Sequence, residues 1–134
     1  PQGAANLEAV ARSIGRLSSR AAPERLLELA AAATVKDDTG RYQWRFDGLH
    51  RTQAPIPFDP LRFRAFLDRI TCPVLALWAE TSPMHAPDEA ARVAAIGDVT
   101  METLEGTGHN MHHERPEAVG AAIRRFLEAR ASGG

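Results

Sequence analysis

Pro73-Val74-Leu75-Ala76-Leu77-Trp78 is a continuous apolar run with no polar residue breaking it. A strand wet on one face alternates polar and apolar residues, whereas a strand covered on both faces, as in a parallel sheet, does not. The run is therefore predicted as an interior strand that needs a hydrogen-bonding neighbour along each edge. Downstream, Pro87 opens a predicted helix over Asp88 to Ile96, Gly97-Asp98 breaks it, and Val99 to Leu104 reads as a second, more alternating strand. A crossover carrying a helix implies that the two strands run parallel. After Gly106-Thr107-Gly108, Pro116 starts a last helix with the stripe Val119, Ala122, Ile123, Phe126 and Leu127. These elements supply one neighbour for the interior strand. Its other edge is expected to be covered by a further segment or by a second copy of the chain.

Upstream the pattern is helical. Leu7, Val10, Ala11, Ile14 and Leu17 recur at three-or-four spacing, and Pro23 suits the first position of a helix carrying Leu26, Leu29, Ala30 and Ala33. Thr34 to Gly40 ends that helix, with Asp37-Asp38-Thr39-Gly40 as turn chemistry. Arg41 to Phe46 alternates polar and aromatic residues and is predicted extended. Pro55, Pro57 and Pro60 follow; Asp59 before Pro60 is a good N-cap, leading into a short helix with the stripe Phe63, Phe66, Leu67 and Ile70. The chain thus divides into a helical and irregular part, 1–69, and a strand-helix-strand-helix part, 70–134.

Composition bounds the class. Across 134 residues, 16 Lys and Arg face 17 Asp and Glu, so no polybasic nucleic-acid surface is expected. No apolar run reaches the roughly 20 residues needed to span a bilayer, and no secretory leader pattern is visible. The single cysteine, Cys72, forms no internal disulfide and fits a reducing cytoplasm. It is predicted as a small core residue beside Pro73.

Two stretches carry a resemblance. Ile70-Thr71-Cys72-Pro73-Val74-Leu75-Ala76-Leu77-Trp78-Ala79-Glu80 resembles the penultimate core strand of the α/β-hydrolase fold. Gly106-Thr107-Gly108-His109-Asn110-Met111-His112-His113-Glu114-Arg115-Pro116-Glu117-Ala118-Val119 is similar to that family's histidine loop and the start of its last helix. The resemblance implies an α/β fold: a helical cap segment at 1–69, followed at 70–134 by the last two parallel strands of a capped hydrolase and their helices. It implies that His109 is the general base. No Gly-x-Ser-x-Gly elbow is present, so the nucleophile, serine or aspartate, is expected on an upstream half. The substrate implied is a small ester-like or apolar molecule, no cofactor is implied, and the chain by itself is expected to be inactive.

The acid that would orient His109 departs from the pattern. Many members carry an aspartate in the turn after the penultimate strand. Here Ala79-Glu80-Thr81-Ser82 puts Ser82 in that place, and a hydroxyl cannot stabilise an imidazolium as a carboxylate does. Either the acid comes from the upstream half, or Glu80 substitutes, or the protein is impaired. The last possibility leads to the alternative reading, a non-catalytic α/β-hydrolase-like module.

The remaining side chains are weighed against plainer roles. Trp44, Met84 and Met111, with Phe46, are candidates to line a substrate pocket, although such residues more often simply pack. His109, His112, His113 and Glu114 have no zinc-binding spacing, so no metal is expected. Glu114 is expected to cap the last helix. His50 and His85 are read as surface groups, and Arg62, Arg64 and Arg69 as a solvated helix face.

Overall fold

Asn6 starts the first helix: its side chain accepts the Ala9 N–H at 2.9 Å and opens α1 (Leu7–Gly15). Pro23 occupies the first turn of α2 (Pro23–Ala33), as its spacing predicts. The two helices close over Val10, Ala11 and Ala30, with Ala4, Leu7, Ile14, Leu26, Tyr42 and Trp44 packed around them. Leu17 falls beyond the end of α1 and is half exposed, so the predicted stripe runs one turn too far. The computed structural model describes residues 3–52 and 56–132 and divides into two units, Pro1–Pro55 and Ile56–Gly134.

A hairpin completes the first unit. The strands β1 (Thr34–Lys36) and β2 (Tyr42–Trp44) pair antiparallel, with Thr34 opposite Trp44 and Lys36 opposite Tyr42. The alternation over 41–46 predicts β2. The partner β1 has no such signal, because three residues following directly on a helix carry no period. Asp37 builds the turn. Its Oδ1 accepts from the Thr39 N–H (2.9 Å), the Thr39 hydroxyl (2.6 Å) and the Arg41 N–H (3.0 Å), and its Oδ2 from the Gln43 amide (2.8 Å). These donors, Gln43 foremost and then Thr39, hold its carboxyl well below the usual carboxylate range. Gly40 supplies the left-handed φ of 77° that the turn requires.

The second unit holds the parallel strands. Asp59 caps α3 (Pro60–Leu67) by accepting the Leu61 and Arg62 N–H groups. After α3 come β3 (Val74–Ala79), α4 (Glu89–Ala94), β4 (Val99–Leu104), α5 (Met111–Glu114) and α6 (Pro116–Ala131). The strands β3 and β4 pair in parallel, Val74 with Val99 through Ala79 with Leu104, so both end at the same level. Helix α6 packs on this pair, with Ala122 1% exposed against it.

Among the described residues β3 has β4 as its one strand neighbour, and its other edge is unpaired. The prediction of a strand buried on both faces is corrected in degree. Val74 to Trp78 are only partly buried and Ala79 alone is buried, because the described residues supply neither a second neighbour nor full cover. The same holds for the helical stripes: Phe66 on α3 and Leu127 on α6 are about 60% exposed, at 64% and 59%. Cys72 is another correction. It is exposed, because it sits in the turn before β3 rather than in the strand.

Two outcomes test this description. Val10→Ala removes about two methylene equivalents from a site 2% exposed and should cost about 2 kcal/mol, read as a lower urea midpoint. Asp37→Ala should lower the melting temperature at neutral pH. Because the folded carboxyl titrates below its unfolded value, its contribution is complete above the unfolded pKa and lost as pH falls through the folded one. The difference from the parent chain should therefore shrink in acid; an equal difference at every pH would remove the carboxylate from the turn's energetics.

Candidate active site

The parallel register brings the loop after β3 and the loop after β4 side by side, at the end of an open α/β sheet where such folds place ligands. The loops are laced residue by residue. Glu80 Oε2 accepts the Gly106 N–H at 2.8 Å. The Thr107 carbonyl accepts both the Thr81 N–H (3.0 Å) and the Thr81 hydroxyl (2.9 Å). Ser82 Oγ lies 3.1 Å from His109 Nδ1. Thr107 is buried and donates its own hydroxyl to the Leu104 carbonyl at 2.6 Å, so the base of the loop is fixed from both sides.

His109 is carried by a tight turn. Gly106 adopts φ 67°, a conformation that favours glycine. Gly108 donates its N–H to Glu114 Oε2 at 2.6 Å, and a Cβ there would lie 2.9 Å from Glu114 Oε1. A side chain at position 108 would press on the carboxylate that approaches the backbone there, and the Glu114 side chain would have to shift to admit it. This revises the role expected of Glu114. It is buried at the end of α5 and holds the histidine loop, while α6 starts at Pro116 with no side-chain cap.

A pocket of about 200 Å³ opens beside His109, lined by Leu77, Trp78, Ala79, Ser82, Met84, His85, Glu89, His109 and Met111. Met84 and Met111 therefore share a wall with the histidine. Trp44 belongs to the first unit, where it packs on the Val10 core and stacks on Phe46 at 5.5 Å. Glu80 is engaged with Gly106, and the group on His109 Nδ1 is Ser82. Among the described residues no group of three or more His, Cys, Asp and Glu side chains is placed to hold a metal ion.

The chemistry of the Ser82–His109 contact is two-way. Ser82 Oγ already accepts the Met84 N–H at 3.1 Å. It can also accept Nδ1–H, which leaves Nε2 with a free lone pair for base catalysis, or donate its own proton to Nδ1, which puts the ring proton on Nε2. A carboxylate accepts only, and so selects the first tautomer. The hydroxyl does not select.

His85, read from the sequence as a surface group, is exposed but engaged at both ring nitrogens. Its Nδ1 lies 2.9 Å from Glu89 Oε2, and its Nε2 lies 2.8 Å from the Ala79 carbonyl. These acceptors, Glu89 first, raise its pKa above the ordinary histidine value. The His85-x-x-x-Glu89 spacing is the available signal. It is faint, because His85 precedes the helix and the pair is not on one helical face.

No family model matches the sequence, and no curated protein matches it. Solved structures do. A thioesterase domain from the curacin biosynthetic pathway superposes with a TM-score of 0.74 at 20% identity, covering 93% of this chain and 46% of that one. An esterase of Mycobacterium tuberculosis gives 0.77 at 15% identity, covering 95% and 43%. An α/β-hydrolase of Novosphingobium aromaticivorans gives 0.62 at 26% identity, covering 95% and 47%. The chain spans a little under half the length of each. Among the described residues no helix is long and apolar enough to cross a membrane. What the parallel pair, the histidine loop and these superpositions establish together is the C-terminal half of the α/β-hydrolase fold.

Proposed function

We propose that this chain is the C-terminal part of a cytoplasmic hydrolase acting on a small ester-like or apolar substrate, with His109 as its general base. The observation that carries the reading is the 3.1 Å contact between Ser82 Oγ and His109 Nδ1. It engages one ring nitrogen, and among the described residues Nε2 has no partner. Nε2 is the atom that takes a proton from a nucleophilic serine, or from water when the nucleophile is an aspartate. The nucleophile and the oxyanion donors come from an upstream half, which also supplies the strand for the open edge of β3. The segment 1–69 is the cap and its connection to the core. Met84 and Met111 give the pocket an apolar wall suited to an acyl or alkyl group. The thioesterase and esterase among the structural neighbours support ester chemistry.

The hydroxyl at position 82 favours a second reading, a fold-retaining module without turnover. Two substitutions separate the readings in the protein that joins this chain to its upstream half, assayed on p-nitrophenyl acetate. His109→Ala should reduce kcat/KM by roughly 1,000-fold or more while leaving the melting curve in place. Ser82→Asp, which fixes the base-competent tautomer and stabilises the imidazolium, should raise kcat by at least about tenfold. Turnover indifferent to His109→Ala would remove the general base. An inert parent that stays inert with Ser82→Asp would establish the module.

A further inference from the structure

We propose that His85 is a positioning residue: as an imidazolium it ties the end of β3 to the start of α4, and so holds the Ser82 turn against His109. The tie is built on one carbonyl. The Ala79 oxygen accepts His85 Nε2–H at 2.8 Å and also the Ser82 backbone N–H at 3.3 Å, so the same atom anchors both the brace and the turn. From the other side of the ring, His85 Nδ1 reaches Glu89 in the first turn of α4, at 3.0 and 2.9 Å from its two oxygens. The loop between these anchors contains Pro83 and Pro87, which restrict its backbone, and Ser82, whose Oγ accepts the Met84 N–H. Its two ends are therefore fixed three residues downstream of Ser82 by a single side chain.

The protonation state follows from the partners. Both groups facing the ring nitrogens are acceptors, and a neutral imidazole has one N–H. Only the imidazolium satisfies both; the neutral ring turns a lone pair toward either the carboxylate or the carbonyl. On β3 the ring meets the Ala79 carbonyl and the uncharged Trp78 indole, 6.5 Å away between centroids. On α4 it meets Glu89, while the adjacent Asp88 is paired with Arg92 at 2.9 Å. From the loop after β4, His109 is the one titratable group on the pocket wall, and Met111 of α5 is apolar. The shift of His85 has the matching sign. Its folded pKa is raised, so the brace is complete below the unfolded value and lost as pH rises through the folded one. Above that point the ring keeps one N–H and one of its two ties is lost, so the Ser82 turn is held against His109 less firmly.

The consequence for catalysis rests on His109 being the working base, but the test does not. Histidine-ring 15N spectra of the protein that joins this chain to its upstream half, taken from about pH 5 to about pH 9, report each ring nitrogen directly. The His85 midpoint should lie above the midpoint in Glu89→Gln, and the His109 Nδ1 resonance should move in step with the His85 titration. In His85→Gln that coupled movement should disappear. Equal His85 midpoints in the parent and Glu89→Gln, or a His109 resonance that still moves identically in His85→Gln, would overturn the proposal. If His85→Gln fails to fold, the near-isosteric Glu89→Gln comparison decides alone. Because these readouts are ring-nitrogen chemistry, a chain without any hydrolytic activity can still confirm or refute the brace.

Discussion

The parallel register of β3 and β4 is the constraint on which the site depends. Pairing Val74 with Val99 and Ala79 with Leu104 ends both strands at one level, so the loops that follow must run side by side. Backbone and side-chain donors then find acceptors across the gap in order: Gly106 on Glu80, Thr81 on Thr107, and Ser82 beside His109. A slip of one residue would turn every side chain of a strand to the other face and separate these partners. The histidine is in place because the ladder is in register.

That ladder is also incomplete. A strand with an unpaired edge exposes N–H and C=O groups that water satisfies only where neighbouring side chains let it in. Here the neighbours are Val74, Leu75, Leu77 and Trp78, apolar and only partly covered. The exposed Phe66 and Leu127 belong to the same pattern. Sequence and burial disagree in a consistent direction: residues patterned for a core lie at a surface.

The active-site candidates sort by how local their partners are. Gly108 and Glu114 are six residues apart, and their hydrogen bond closes the loop that carries His109. Ser82 and His109 are 27 residues apart and meet only through the sheet. A hydroxyl in this position engages Nδ1 but contributes no charge, so an imidazolium there would be less stabilised than one beside a carboxylate. The nearby carboxylates are committed elsewhere: Glu80 to Gly106, Glu89 to His85 and Glu114 to Gly108.

Much of this was legible in the residues themselves. Unbroken apolar character marked β3 and the Asp59-Pro60 and Pro23 signals marked two helix starts, because each is a local property of consecutive side chains, while the histidine loop was marked by its resemblance to that of the α/β-hydrolases. Strand β1, the exposure of Cys72, the loop-holding role of Glu114 and the His85 brace were not legible, since each depends on a partner supplied by the folded chain. Sequence by itself determined the longer helices, strands β2, β3 and β4, and the loop on which His109 stands. Tertiary structure alone decided what each polar group bonds to, because hydrogen bonds are set by distances of about 3 Å that only the packed backbone fixes.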